Sequence, residues 1–341
     1  MSVFMLTVRP FQNEDPPLLL SLWRKSQTQP NRLKLMPLTM GVLQSQVLGV
    51  PFFDPRSIWL AFSDGVGVGY IHTCLSPNEL RSNFTNRSGQ ICFIAVDLSY
   101  SDPLLCSRLL IRAGERYLLG CGVREIYCGS IRPAPPPPFY TGFYGGGEVI
   151  GFFDSDEHIV RGFLDSGYVP CANTVRYSLK LSGYTPPVTM STVGWRQNLT
   201  LVFNTAPVPV SWWDGCVLAH FDWMEVTAYL NSSGKPIARA RTRIANPVPD
   251  ENGTDFGNMY AESWDAALTD IRVHPDYHKS GVGSYMLGEV LRQLVAQRMV
   301  TQIETHVQEE IKPLNQLLLN MKWEKKDTGK VYHKTFNQPQ K

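Results

Sequence analysis

The sequence predicts a protein of the α/β (α+β) class with two tandem domains, each a mixed, mostly antiparallel sheet flanked by helices. The first observation is the length of 341 residues, which is long for a single hydrophobic core. The second is an order of patterns: hairpin, apolar strand, turn, helix, strand, helix and last strand. The third is that this order occurs once in each half, so a domain-scale duplication is the simplest explanation.

We expect the N-terminal domain over residues 1–181. It opens with the strand-like stretch FMLTVRP, and two helical patterns follow over Pro16–Ser26 and Thr39–Leu48. The stretches SIWLAFSDG and VGVGYIHTCL meet at a turn that contains Gly65, which predicts a hairpin. The near-continuous apolar run Gly89–Leu98 is typical of a central strand.

The remainder of this domain alternates helices and strands. Apolar residues recur at helical spacing over Leu104–Leu119, and Asp102-Pro103 supplies a cap and first-turn signal. REIYCGS and VRYSLKL predict strands, and DEHIVRGFLDSGY predicts a short helix. The stretch APPPPFYTGFYGGGEVIGFF is expected to be a surface or interdomain loop, with a substrate-side wall as the alternative. The aromatic residues that favour the alternative are Phe139, Tyr140, Phe143 and Tyr144.

Residues 182–209, rich in Thr, Pro and Val, are expected to form a linker, and residues 210–341 the C-terminal domain. WMEVTAYLNSSGKPIARARTRI predicts a hairpin around Gly234. A strand is expected over Ala266–Pro275 and a helix over Ser284–Arg298. VTQIETHV, KPLNQLLLNMKW and KVYHKTF then predict a strand, a helix and a last strand.

Composition and charge exclude several classes of function. Residues 1–181 contain 16 Lys and Arg against 14 Asp and Glu, and residues 182–341 contain 16 against 16, so neither half has the basic excess of a nucleic-acid-binding surface. The first residues show no basic segment followed by an apolar signal core, and no run of about 18 apolar residues occurs. We therefore expect a cytoplasmic protein with neither nucleic acid nor membrane as a partner, a monomer or a homodimer.

The seven cysteines form no C-x-x-C pair and have no ligand spacing with histidines. Several of them lie inside apolar runs. We expect reduced, buried thiols and no metal site.

The stretch His274–Leu291, HPDYHKSGVGSYMLGEVL, places two glycines between an apolar strand and an amphipathic helix. Such a turn lets backbone amides and the helix dipole approach a phosphate group. A dinucleotide-binding fingerprint needs a third glycine, where this chain has Met286. A triphosphate-binding loop needs Gly-Lys-Ser/Thr at its end, whereas Lys279-Ser280 precedes the first glycine. Both patterns are excluded, and a plain helix-start turn remains as the alternative.

The frame around the glycines resembles the acyl-CoA-binding motif of the GNAT N-acetyltransferase superfamily, Val-x-Pro-x-x-(Arg/Gln)-x-x-Gly-x-(Gly/Ala). Val273, Pro275, Gly281 and Gly283 match, and His278 stands where Arg or Gln is usual. The resemblance covers roughly residues 222–336. The tandem arrangement is similar to that of the mycothiol synthases, a family whose C-terminal copy is the active one.

The resemblance implies two splayed central strands that form a slot for the pantetheine arm of acetyl-CoA, the cosubstrate. It also implies that an amine attacks the thioester directly, while the amide of Ile271 or a neighbour stabilises the developing oxyanion. The expected function is acetyl transfer to a primary amine of a small molecule or peptide. The residues expected to bind CoA are Ile271, Arg272, Val273, His278, Lys279, Ser280, Gly281, Val282, Gly283 and Ser284.

Proton transfer would need further residues. Glu262 and Asp270 are the nearest candidates for a general base, followed by Glu304 on the next strand. The family often has a Tyr in the last helix that acts as the general acid, where this chain has Leu318. Another tyrosine would then act, or the thiolate would leave without a protein acid; the tyrosines are Tyr277, Tyr285 and Tyr332. The predicted catalytic set is Glu262, Asp270, Ile271 and Tyr285.

The first domain resembles the same fold in degenerate form. Setting VDLSYSDPLLCS against VHPDYHKSGVGS places Leu104 opposite Gly281 and Cys106 opposite Gly283. Side chains at these two positions would prevent close backbone approach to a pyrophosphate, so we expect no usual CoA binding there. The degenerate copy and the missing helix Tyr leave a second hypothesis open, a non-catalytic acyl-CoA-binding or scaffold protein.

Overall fold

The computed structural model describes residues 6–26, 38–78, 80, 82–130, 139–140, 151–209, 211–212, 215–216, 222–244, 265–298 and 300–336. The described strands are β1 (Leu6–Pro10), β2 (Ile58–Ser63), β3 (Val66–Pro77), β4 (Phe84–Val96), β5 (Glu125–Cys128), β6 (Phe152–Phe153), β7 (Val169–Lys180), β8 (Leu199–Asn204), β9 (Asp222–Leu230), β10 (Pro236–Ile244), β11 (Asp265–Val273), β12 (Gln302–Gln308) and β13 (Glu324–Thr335). The described α-helices are α1 (Pro16–Lys25), α2 (Met40–Leu43), α3 (Pro103–Gly120), α4 (Glu157–Asp165), α5 (Met190–Asn198), α6 (Val282–Arg298) and α7 (Lys312–Asn320).

These strands form one continuous sheet in the order β1-β2-β3-β4-β5-β13-β7-β12-β11-β10-β9-β8, with β6 paired to β13. Both predicted hairpins, β2–β3 and β9–β10, pair antiparallel. In each half the strand before the long helix pairs in parallel with the strand after it, β4 with β5 and β11 with β12. The mixed, mostly antiparallel sheet in tandem copies is therefore confirmed.

The two halves of the chain, residues 1–181 and 182–341, exchange their last strands. β13, from the C-terminal half, pairs with β5, as in the register Tyr332↔Cys128. β7, from the N-terminal half, pairs with β12, as in Ser178↔Glu304. The two exchanged strands also pair with each other. Each half therefore completes the sheet of the other.

The stretch 182–209, expected to be a linker, contains helix α5 and strand β8. Thr189 begins α5 through a capping box with Thr192, in which each side chain bonds the other residue's amide. β8 pairs antiparallel with β9, so it forms the edge of the sheet in the C-terminal half. The Thr- and Val-rich composition that suggested a connection supplies the cap of one element and the β-branched residues of the other.

Buried apolar residues form three clusters. One lies between the C-terminal half of the sheet and α6, and it includes Val282, Met286 and Val290. A second lies between the N-terminal half and α3, and a third covers the opposite face of that half beneath α1 and α2. In the third cluster Trp23 is fully buried and stacks on Phe93, with 4.6 Å between ring centroids.

Phe139 and Tyr140, considered for a loop or a substrate wall, are buried in this third cluster. Tyr140 lies 5.7 Å from the Trp23 ring, centroid to centroid. Both side chains therefore belong to the core of the N-terminal half. Phe143 and Tyr144 lie outside the described residues.

All seven cysteines are free thiols, and four of them are buried, as expected: Cys74, Cys92, Cys106 and Cys128. Cys171, in contrast, is exposed. Of the helices in the described ranges, none combines the length and the apolar character that a membrane span requires.

Candidate active site

A slot opens in the C-terminal half where β11 leaves β12. Their parallel pairing covers three residue pairs and ends at Ala267↔Glu304. The Thr305 hydroxyl donates to the Leu268 carbonyl at 2.7 Å and closes this end of the slot. β11 continues to Val273 paired with β10, and a bulge at Thr269 interrupts the register there. The strands therefore splay from Thr269 onward.

The peptide groups of Ile271 and Val273 point into this slot. The His274 N–H donates to the Ile237 carbonyl at 2.7 Å, on the β10 side. Because successive peptide groups of a strand point in alternate directions, those of Val273 and Ile271 point the other way. The Val273 carbonyl is already bonded by His278 Nε2 at 2.9 Å, which ties the turn to the end of the strand.

The turn after β11 adopts a backbone that favours glycine. Gly281 has φ +93° and Lys279 has φ +60°, both in the left-handed region. α6 follows at Val282, and the Tyr285 amide makes its first bond to the Gly281 carbonyl at 2.9 Å. The amides before it have no acceptor within the helix, and α6 carries no acidic residue in its first turn. The helix dipole therefore favours an anion at this point.

Helix α5 holds the turn from outside. The Trp195 indole N–H donates to the Ser280 carbonyl at 2.8 Å. A Cβ on Gly281 would lie 2.7 Å from Ser191 Oγ, so the space around this glycine is already filled. Our sequence prediction missed this contribution, because a Trp in a stretch without helical periodicity gives no signal of its partner.

Gly283 is placed differently from Gly281. A Cβ there would meet Leu317 at 3.4 Å and Val273 at 3.5 Å, which are close to ordinary contacts. The protein itself therefore does not require glycine at this position. Glycine at this position leaves the first turn of α6 without a side chain where a ligand could approach.

The residues predicted to be catalytic do not come together. Ile271 lies on the slot, but the Asp270 side chain points to the face of the sheet opposite α6 and pairs with Arg239 at 3.1 Å and Arg272 at 2.9 Å. Tyr285 is partly buried on α6, where it packs against the cluster between that helix and the sheet. Burial and the charge of Glu289 raise the pKa of the Tyr285 phenol. Glu262 lies outside the described residues.

The remaining proton-transfer candidates also have other roles in this structure. Glu304 is 1% exposed and pairs with Arg176 at 2.6 Å. Tyr332 is buried in the core of the N-terminal half, where burial raises its pKa to about 12. Tyr277 packs edge-on against Trp195, with 6.0 Å between ring centroids. Strand exchange carries Tyr332 away from the slot, which its place in the sequence does not reveal.

The N-terminal half keeps the slot geometry but not the open turn. Its bulge lies at Cys92, between the pairs His72↔Phe93 and Thr73↔Ile91, and the parallel pairing of β4 and β5 ends at Ile91↔Cys128. At the head of α3, the Asp102 carboxylate accepts from the Leu105 amide at 2.9 Å. The Asp102 carboxylate thus already occupies the position at the start of the helix that the C-terminal half leaves open.

A bulged strand that leaves its parallel neighbour, followed by a turn and a helix, occurs twice in one sheet and defines a tandem GNAT fold. Residues 197–317 match the model of the acetyltransferase (GNAT) family. No curated protein sequence matches the chain.

Solved structures match nearly the whole chain. A tandem GNAT protein from the clavulanic acid biosynthesis pathway is 12% identical, with a TM-score of 0.66 over 98% of this chain and 100% of its own. A GCN5-related N-acetyltransferase from Sphaerobacter thermophilus is 12% identical, with a TM-score of 0.63 over 97% and 95%. A glucosamine N-acetyltransferase region of a fungal multi-domain β-N-acetylglucosaminidase is 15% identical, with a TM-score of 0.62 over 98% of this chain and 38% of that one. At these identities the likeness concerns the fold.

Proposed function

We propose that the protein is an acyl-CoA-dependent N-acyltransferase that transfers acetyl from acetyl-CoA to a primary amine in its C-terminal half. One observation carries the proposal: an open glycine turn at the head of α6 lies beside a strand whose peptide groups face a slot. Gly281 adopts a backbone of φ +93°, and Gly283 keeps the first helical turn free of a side chain. This combination suits a ligand with a pyrophosphate next to an extended, hydrogen-bonding arm.

Acetyl-CoA, when bound, supplies an activated acetyl group that an amine accepts directly. The amides at the start of α6 hold the pyrophosphate, with Lys279, Ser280 and Ser284 around it. The slot-facing groups of Ile271 and Val273 pair with the pantetheine arm, and the Ile271 amide donates to the thioester oxygen. His278 keeps the turn in register with the strand through the Val273 carbonyl.

The N-terminal half does not bind CoA in this way. Asp102 places a carboxylate at the head of α3, where it accepts from the Leu105 amide. A pyrophosphate would meet this charge and lose that donor. Cys106, opposite Gly283, is fully buried.

The amine reaches the slot without a base from the described residues. The carboxylates of Asp270 and Glu304 are both engaged by guanidinium groups. The amine therefore loses its proton to water, and the rate rises with pH along with the fraction of free amine. Glu262 is the competing base. A Glu262→Gln variant with an unchanged pH profile favours water, and a variant that loses the rise assigns the base to Glu262.

The second candidate function is acyl-CoA binding without catalysis. The engagement of both carboxylates, together with Leu318 in place of a helix tyrosine, favours it. Free-thiol release from acetyl-CoA in the presence of primary amines separates the two functions. Turnover excludes the non-catalytic one, and saturable binding without turnover supports it.

Calorimetric titration with acetyl-CoA tests the site itself. Ser284→Asp adds a carboxylate to the first turn of α6, where it suits the helix dipole and repels a pyrophosphate. We expect acetyl-CoA binding at least about tenfold weaker, with no fall in the melting temperature. Asn204→Asp, on β8 at the edge of the sheet, adds the same charge three strands from β11 and is the control. Undiminished binding by Ser284→Asp, or no binding by the wild type, contradicts the proposal.

A further inference from the structure

Five charged side chains form a lattice on the face of the C-terminal half of the sheet opposite α6. Arg239 bridges two carboxylates, at 3.1 Å from Asp270 and 3.8 Å from Glu225. Arg272 pairs with Asp270 at 2.9 Å, and Arg241 pairs with Glu225 at 2.7 Å. We call these five residues the arginine lattice. Its three guanidinium groups exceed its two carboxylates, so it carries one net positive charge.

The fold does not require charge at these positions. The strand registers place Tyr70, His72 and Phe93 of the N-terminal half where the C-terminal half has Arg239, Arg241 and Asp270. In the N-terminal half these side chains are buried beneath α1, and Phe93 stacks on Trp23. The same sheet can therefore bury an uncharged, largely aromatic face here, with no need to desolvate ionic groups. The C-terminal half instead carries paired charges on this face, and part of them stays exposed.

The lattice lies beside the slot. Asp270 and Arg272 are on β11 itself, directly after the bulge at Thr269. The other side of this strand is filled, because Ile271 and Val273 pack into the cluster beneath α6. Among the described residues, the face that carries the lattice is therefore the side of β11 left for a second substrate.

Two of the three arginines, Arg239 and Arg272, are exposed enough to contact a ligand. The Arg239 side chain is 35% exposed and that of Arg272 is 61% exposed, whereas Arg241 and Glu225 are 19% exposed. Arg241 and Glu225 thus form the less exposed part of the lattice. Guanidinium groups bind carboxylates and phosphates with two parallel hydrogen bonds, which suits them to an oxyanion.

We propose that the arginine lattice selects an acceptor whose amine is accompanied by an oxyanion, a carboxylate or a phosphate. Arg239 and Arg272 bind the oxyanion, and Asp270 holds both guanidinium groups in place. This inference rests on the proposed acetyl transfer in the C-terminal half. It adds the chemical class of the acceptor.

The test uses matched pairs of amines with acetyl-CoA and the full chain. Each pair has the same amine with and without the oxyanion: lysine with cadaverine, β-alanine with its amide, and phosphoethanolamine with ethanolamine. Initial rates from free-thiol release give kcat and KM, and calorimetry on the CoA-loaded protein gives the affinity of each amine. We expect the anionic member of at least one pair to bind about tenfold more tightly or better.

Variants then locate the preference. Arg239→Gln and Arg272→Gln should each raise the KM of the anionic amine about tenfold or more, leave kcat within about threefold, and bring the pair to equal affinity. Arg161→Gln, which removes an exposed arginine paired with Asp165 on α4, is the control and should change neither constant. Acetyl-CoA affinity, measured separately, should be unchanged in Arg239→Gln and in Arg161→Gln.

The outcomes separate the two proposals. A wild-type protein that does not bind acetyl-CoA fails at the proposed function. A protein that binds acetyl-CoA but binds no anionic amine better than its neutral partner overturns the arginine lattice as an acceptor site. A preference that persists in both lattice variants overturns it as well, whereas selection between carboxylate and phosphate identifies the oxyanion.

Discussion

Arg176 on β7 and Glu304 on β12 form an ion pair that joins the two halves of the chain inside the sheet. The Arg176 Nη2 and Glu304 Oε1 atoms are 2.6 Å apart, and the side chains are only 7% and 1% exposed. Gln302 donates a further hydrogen bond to Glu304 at 2.9 Å. Since Ala267↔Glu304 is the last pair before the strands splay, the N-terminal half supports the slot of the C-terminal half.

Removal of Arg176 should destabilise the protein strongly. Arg176→Met leaves the Glu304 carboxylate buried without its partner, which costs about 3–5 kcal/mol of the free energy of unfolding. The double variant Arg176→Met, Glu304→Leu should recover most of this loss, because an apolar pair has no charge to desolvate. Urea denaturation measures both. Arg161→Met, at an exposed ion pair, is the control and should cost no more than about 1 kcal/mol.

The exchanged strands should make the halves interdependent. Expressed alone, residues 184–341 lack β7, so β12 and β13 lose a shared neighbour and expose unpaired edges. We expect this fragment to be insoluble and to become soluble when coexpressed with residues 1–183. Copurification through a tag on one fragment measures the association. A soluble, acetyl-CoA-binding fragment 184–341 on its own contradicts the prediction.

Local sequence patterns predicted the elements but not the partners of the last strands. The hairpin around Gly234 and the strand, turn and helix around Gly281 are encoded within a few residues. β7 and β13 read as ordinary strands, and nothing local decides whether Tyr332 pairs beside Cys128 or within its own half. That choice depends on contacts far apart in the chain, as does the bond from Trp195 to Ser280.

The side-chain direction of Asp270 illustrates the same limit at the site. Its place on the strand beside the slot suggested a base. The bulge at Thr269 shifts the alternation by one residue, and the Asp270 carboxylate then faces Arg239 and Arg272. A bulge is invisible in the pattern of apolar residues, so the direction could not be predicted.

His278 should act by holding the turn and not by its charge. Its Nε2 donates to the Val273 carbonyl at 2.9 Å, a bond that an amide side chain can replace. We expect His278→Ala to weaken acetyl-CoA binding about tenfold, the effect of one lost hydrogen bond plus a looser turn. His278→Gln should bind within about threefold of wild type. Calorimetry at constant pH compares them, and equal losses in both variants contradict the bond as the cause.

Trp195 should matter for the same turn although it lies in the stretch expected to be a linker. Trp195→Phe keeps the aromatic packing on Tyr277 and removes only the donor to Ser280. An unsatisfied carbonyl costs about 1–3 kcal/mol, and we expect weaker acetyl-CoA binding with a lower melting temperature. Trp212→Phe, at a 56% exposed side chain, is the matched control. Unchanged binding in Trp195→Phe excludes α5 from the support of the site.

His72 in the N-terminal half is the counterpart of Arg241 in the C-terminal half, and it should make the protein acid-sensitive. It is fully buried, and burial lowers its pKa from 6.5 to about 3. Between these two pKa values, His72 is protonated in the unfolded chain and neutral in the folded protein. The contribution of His72 is fully present above about pH 6.5 and declines as the pH falls toward the folded pKa, by about 1.4 kcal/mol for each pH unit. Between pH 7 and pH 5 this amounts to about 2 kcal/mol.

His72→Gln should remove that part of the pH dependence, as measured by urea denaturation at both pH values. Parallel losses in wild type and variant would assign the acid sensitivity to other groups.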